Sequence, residues 1–128
     1  MIKKNVAILI SGNGSNMIEL LKDMRNDKHP CRLSMVIADN NNSKGIKKAK
    51  KLGYNTQIIE FKKSSSKKDF EEKLISLLKE NKIEFICLAG FMRILSKEFV
   101  KIYENKILNI HPSLLPLFKG LKTHEKVL

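Results

Sequence analysis

Apolar residues are distributed along this chain in two patterns that take turns: short unbroken runs, and stripes at helical spacing. Val6-Ala7-Ile8-Leu9-Ile10 is a continuous run ending in a glycine-rich turn, which predicts a strand covered on both faces in a parallel sheet. Met17, Leu20, Leu21 and Met24 then recur at i, i+3, i+4 and i+7, one face of an amphipathic helix. Leu33 to Ala38 predicts a second strand, followed by the polar turn Asp39 to Ser43. Ile46, Ala49 and Leu52 predict a short helix stopped by Gly53. A third, weaker strand is expected over Thr56 to Phe61, and Lys62 to Lys68 reads as a surface loop. Ser66 and Asp69 have the spacing of a capping box, with aspartate replacing the usual glutamate or glutamine; Phe70, Leu74, Leu77 and Leu78 form the helical stripe behind it. Phe85 to Ala89 and Ile107 to Ile110 predict the fourth and fifth strands. Between them, Ser96 is expected to cap a short helix whose Phe99, Val100 and Tyr103 face inward.

Strands alternating with helices imply right-handed crossovers and an α/β fold, a doubly wound, Rossmann-like parallel sheet. In such sheets ligands bind beyond the carboxyl ends of the strands. The chain has 128 residues, about one domain, with no internal repeat and no linker. Its hydrophobic fraction of 42% excludes a wholly disordered chain. No apolar run reaches the roughly 18 residues that a membrane span needs. Met1 to Lys4 leads straight into the first strand without the flanks of a signal peptide. Cys31 and Cys87 are too few for a disulfide framework, and a reducing cytoplasm is expected.

The net charge of +12 raises nucleic acid as a partner. The excess is nearly all lysine, however, spread from Lys3 to Lys126, and there is no tryptophan and only two tyrosines to stack on bases. The charge therefore reads as solvated surface that also steers anionic small molecules; neither a nucleic-acid nor a membrane partner is expected.

Two stretches carry chemistry. Ser11-Gly12-Asn13-Gly14-Ser15-Asn16 joins the first strand to the first helix. Its glycines allow a tight turn and close approach of a ligand, and helix-start amides point toward an anion. The turn is open to two readings, a phosphate cradle or an ordinary strand–helix connection. A dinucleotide fingerprint would want glycine where Met17 stands, although Asp39 sits where a ribose-binding acid would. In the second stretch, Asn109 and His111 lie two apart in a strand and so share a face. An amide beside an imidazole suits a reaction that builds negative charge on a carbonyl oxygen. The alternative is a core histidine hydrogen-bonded to an asparagine. His29, before Pro30 in a turn, is expected to be exposed, and His124 is either near the site or on the surface. No two histidines or cysteines have metal-ligand spacing, so no metal is expected.

Taken together, Ser11 to Asn16, Leu88-Ala89-Gly90-Phe91-Met92-Arg93-Ile94-Leu95-Ser96, and Asn109-Ile110-His111-Pro112-Ser113-Leu114-Leu115-Pro116 resemble the phosphoribosylglycinamide (glycinamide ribonucleotide) formyltransferases, in the same order. Gly120 to His124 continues the resemblance, except that Lys122 stands where that family more usually has histidine. Methionyl-tRNA formyltransferases and formyltetrahydrofolate deformylases (hydrolases of the same co-substrate) share the Asn-x-His strand, but the first loop and Ala89 to Arg93 favour the purine-pathway family. The resemblance implies transfer of a formyl group from 10-formyltetrahydrofolate to the amino group of glycinamide ribonucleotide in de novo purine biosynthesis. It implies that Gly14, Ser15 and Asn16 hold the substrate phosphate. It further implies that Lys67, Met92, Arg93, Ile94, Leu95 and Asn109 bind folate, and that Asn109 and His111 are catalytic. Lys67 keeps a cation where the family has arginine, without the bidentate fork. The family's catalytic aspartate falls beyond Leu128, and the last aspartate of this sequence is Asp69. The resemblance therefore implies one formyltransferase-type domain over residues 1–128, incomplete at its C-terminus, that folds as a marginally stable five-stranded core. Such a chain is expected to turn over little substrate alone, or to bind a phosphorylated ligand without chemistry.

Overall fold

In a computed structural model, residues 3–26 and 28–110 are described. They form a five-stranded parallel sheet in the order β3-β2-β1-β4-β5. The strands are β1 (Lys4–Ile10), β2 (Cys31–Ala38), β3 (Thr56–Ile58), β4 (Phe85–Leu88) and β5 (Ile107–Asn109). The helices are α1 (Ser15–Met24), α2 (Lys44–Lys51), α3 (Lys67–Glu80) and α4 (Lys97–Ile102). From β1 the chain winds outward through β2 to β3, then crosses to β4 and winds outward the other way to β5. The reversal opens a crevice between the carboxyl ends of β1 and β4.

The continuous apolar run of β1 serves two layers. Val6, Ile8 and Ile10 pack with Met17, Leu20 and Leu21 of α1 and Ile46 and Ala49 of α2. Ala7 and Leu9, on the other face, pack with Phe70, Leu74 and Leu78 of α3, Phe99 of α4 and Tyr103 at its C-cap. All five residues of the run, Val6 to Ile10, are fully buried, each large one contributing about 1.5–3 kcal/mol of burial. β2 matches this alternation only because of an irregularity. Val6 pairs with Leu33 but Ala7 with Met35, so Ser34 is an extra residue. Without that bulge Leu33 and Met35 would share a face; with it they serve opposite layers.

Helix boundaries follow local chemistry. Ser43, Ser66 and Ser96 cap α2, α3 and α4, accepting hydrogen bonds from Ile46, Asp69 and Phe99 amides at 3.3, 3.0 and 3.1 Å. The shorter aspartate of the capping box reaches past Ser66, and Asp69 Oδ2 accepts from the Ser65 amide at 3.0 Å. That hydrogen bond, with Lys73, holds the Asp69 carboxyl below its ordinary range. α2 ends in a Schellman arrangement, with Gly53 at φ +89° and amides of Gly53 and Tyr54 returning to Lys50 and Ala49.

Several expectations need correction. The third strand stops at Ile58, and Phe61 belongs instead to a 3₁₀ turn over Phe61–Lys63. Lys67 and Lys68 begin α3 rather than close a loop. Leu52 and Val100 are exposed: Leu52 stands at the C-cap of α2, and Val100, inside α4, lies off the inward line of Phe99 and Tyr103. His29 is buried: its Nδ1 accepts the Cys31 amide at 3.0 Å, and Nε2 lies 3.3 Å from Asp23 Oδ2. Among the described residues, no helix is long and apolar enough to cross a membrane.

Candidate functional site

The segments that leave the carboxyl ends of β1, β2 and β4 are joined to one another by side-chain hydrogen bonds. Ser11, directly after β1, receives the Met92 amide on its Oγ at 2.9 Å, across 81 positions of sequence. Its carbonyl accepts from Asn40 Nδ2 at 2.9 Å. Gly12 O accepts the Ser43 hydroxyl at 2.8 Å and the Gly45 amide at 3.0 Å. The glycine-rich turn is thus held from both sides.

Gly14 is where the turn becomes a helix. Its φ of +78° is one that side chains disfavour, and an added Cβ would lie 2.7 Å from the Cα of Gly45. The reciprocal Cβ on Gly45 would meet Gly14 at 2.9 Å, so the starts of α1 and α2 touch backbone to backbone. Unlike the other three helices, α1 has no side-chain cap. The Ser15 amide is taken by Asn13 Oδ1 at 3.0 Å, and the first intrahelical bond runs from Ile18 to Gly14. Asn16 therefore presents a first-turn amide ahead of the helical ladder, where an anion is stabilised. Gly45 went unnoticed in the sequence because its reason is a contact 31 residues away, with no local signature.

The segment after β4 alternates inward and outward. Arg93 turns in: its Nε donates to Asp39 Oδ2 at 2.8 Å, and its guanidinium sits 4.3 Å over the Phe61 ring. Met92 and Ile94, on either side, are 74% and 82% exposed. Leu95 is half-buried against the α3–α4 layer, and Ser96 gives both its amide and its hydroxyl to the buried Glu71 carboxylate. Lys67 lies on a groove of about 470 Å³ between the first turns of α3 and α4, lined also by Glu71, Ser96 and Phe99. It is brought to the Ser96 end of the segment.

Asn109 ends β5 opposite Leu88, with its side chain exposed. Asn109 and the Met92 segment thus extend from the carboxyl ends of neighbouring strands. His111 and His124 lie outside the described residues. Asp39 is no ribose ligand: its side chain has no exposed surface and both oxygens are engaged, by Arg93 and by Asn40 Nδ2 at 2.8 Å. Among the described residues, no group of three His, Cys, Asp or Glu could hold a metal ion.

Residues 4–128 match the formyl transferase family. The chain is 44% identical over 126 residues to the trifunctional purine biosynthetic protein adenosine-3 of Gallus gallus, covering 98% of this chain and 13% of that protein. Among solved structures, phosphoribosylglycinamide formyltransferase from Brucella melitensis superimposes with a TM-score of 0.83 at 42% identity, covering 98% of this chain and 66% of that one. Glycinamide ribonucleotide transformylase 1 from Geobacillus kaustophilus gives 0.80 at 34% identity, over 93% and 63%. The chain spans slightly under two thirds of these enzymes' length.

Proposed function

The chain belongs to the formyl transferase family, and from that premise we propose that it binds glycinamide ribonucleotide and 10-formyltetrahydrofolate side by side for formyl transfer to the ribonucleotide's amino group. The observation that carries this reading is the Ser11–Met92 hydrogen bond, which ties an uncapped helix start to an exposed apolar segment. One half suits a phosphate and the other a flat aromatic body, as a nucleotide and a pterin together require.

Gly14, Ser15 and Asn16 hold the ribonucleotide phosphate through the main chain at the turn and the α1 start and through the Ser15 and Asn16 side-chain donors. Met92, Ile94 and Leu95 give apolar contact to the pterin, Arg93 contributes its main chain, and Lys67 supplies a cation at the far end. 10-Formyltetrahydrofolate brings the formyl group as co-substrate. As the substrate amine attacks the formyl carbon, charge grows on the formyl oxygen, and the Asn109 amide donates a hydrogen bond to it. His111, two residues further along the sequence, moves the amine's proton to the departing tetrahydrofolate nitrogen as the formyl–nitrogen bond breaks.

Release of tetrahydrofolate from 10-formyltetrahydrofolate, dependent on glycinamide ribonucleotide, tests transfer directly. Ribonucleotide-independent release would instead mark a hydrolase. A second reading, binding without turnover, is favoured by the placement of Asp39, which is wholly buried on Arg93 and Asn40 and so offers the ligands no carboxylate. Calorimetric binding of both ligands without tetrahydrofolate release would select it; no binding of either would end both readings.

A further inference from the structure

Arg93 is the one residue between Met92 and Ile94, and its direction decides theirs. Two large apolar side chains standing in solvent on either side of an arginine turned inward is an arrangement that needs a cause, since exposure of that much apolar surface is unfavourable. The cause is Asp39. Its Oδ2 holds Arg93 Nε at 2.8 Å with the carboxylate wholly buried. Its Oδ1 accepts from Asn40 Nδ2, and that amide group also donates to Ser11 O. Its carbonyl accepts the Phe61 amide at 3.0 Å, which seats the ring under the Arg93 guanidinium. One aspartate therefore connects the segments following β1, β2, β3 and β4.

We propose that Asp39 is a positioning residue for the folate co-substrate: by drawing Arg93 inward it keeps Met92 and Ile94 turned outward, in the shape that receives the pterin. This rests on the folate role of that segment given under the proposed function. A buried carboxylate suits the task because an unpaired charge there is strongly disfavoured, so Arg93 is held in one place. Arginine suits it because its planar group satisfies the carboxylate and stacks on Phe61 at once.

The test compares the full chain with Asp39→Asn, which keeps the side-chain shape and one carbonyl oxygen but removes the charge. Calorimetric titration with tetrahydrofolate should show affinity lowered at least about tenfold, the scale of effect expected from misplacing a binding group. Titration with glycinamide ribonucleotide should agree with the unaltered chain within about twofold, since the Gly14 turn keeps its own supports. Equal loss for both ligands, or no loss for tetrahydrofolate, overturns the proposal. Arg93→Lys is the companion variant: it keeps the ion pair without the planar fork, and should lose tetrahydrofolate affinity while melting close to the unaltered chain. A readout free of ligands is the exchange rate of the Met92 amide hydrogen, which should rise about tenfold in Asp39→Asn as its bond to Ser11 opens more often. Unchanged exchange would overturn the proposal even if affinities shift. If the unaltered chain takes up neither ligand, the functional reading fails, and the Met92 exchange still decides whether Asp39 holds the segment.

Discussion

At the amino end of the sheet, Asp23 meets His29; at the carboxyl end, Asp39 meets Arg93. Both pairs bring a carboxylate to a nitrogen base and both are largely buried, yet they leave different surfaces behind. His29 turns back on its own loop, bonding the Cys31 backbone two residues away. It closes the connection between α1 and β2, beside a Cys31 thiol that burial pushes up to about 11. Arg93 instead reaches a residue 54 positions away and leaves exposed apolar side chains on either side. A local pair seals a turn, whereas a long-range pair shapes a surface between segments. A buried titratable group marks a site only when what surrounds it remains open.

Variants at the two ends should therefore differ in kind. The largest expected effect is on turnover. Asn109→Ala should lower kcat about a hundred- to a thousand-fold, the scale of losing an oxyanion donor. Near-normal formyl transfer in that variant would remove Asn109 from the chemistry. Next, Gly14→Ala places a methyl group against the Gly45 backbone at positive φ. About 2–4 kcal/mol should be lost in urea unfolding, together with ribonucleotide binding. Arg93→Ala leaves Asp39 buried without its cation and should cost about 3 kcal/mol and tetrahydrofolate affinity together. His29→Ala should cost only about 1–2 kcal/mol and change neither ligand's affinity; an effect on binding would break the comparison.

The smallest effect concerns alkaline pH. The Cys31 thiol is raised from an unfolded value near 9 to about 11, so its contribution is complete below about pH 9 and is lost as pH rises through about 11. Urea midpoints should fall over that window, and fall less in Cys31→Ala. An identical decline in both would show that the thiol contributes nothing to it.

The sequence displayed most of this fold because its elements are announced locally. Val6 to Ile10 is apolar without interruption, the α1 and α3 stripes hold their period, and three serines stand where helices begin. What it hid depends on partners distant in the chain or on how far an element extends. The Ser34 bulge is defined only by pairing with β1, and Gly45 only by contact with Gly14. Val100 fits a helical stripe, but only the line of Phe99 and Tyr103 meets the sheet, and Val100 stands beside it. His29 beside a proline resembles an exposed turn residue until Asp23 and Cys31 close around it. In the site, the glycine turn and the Met92 segment were legible as motifs; Asp39 was noticed for a role that its bond to Arg93 forecloses.

α2 gives the Gly14–Gly45 contact a further meaning. Five of the helix's eight residues are lysine, and the other three, Gly45, Ile46 and Ala49, are its buried positions. The surface of this helix is compositionally free, able to take whatever residue supplies charge and solubility. Its inner line has no such latitude, and at Gly45 the permitted alphabet shrinks to a single letter. A turn whose shape depends on that letter is insulated from changes in the composition around it: the chain can vary widely in charge while the mouth of α1 keeps its dimensions.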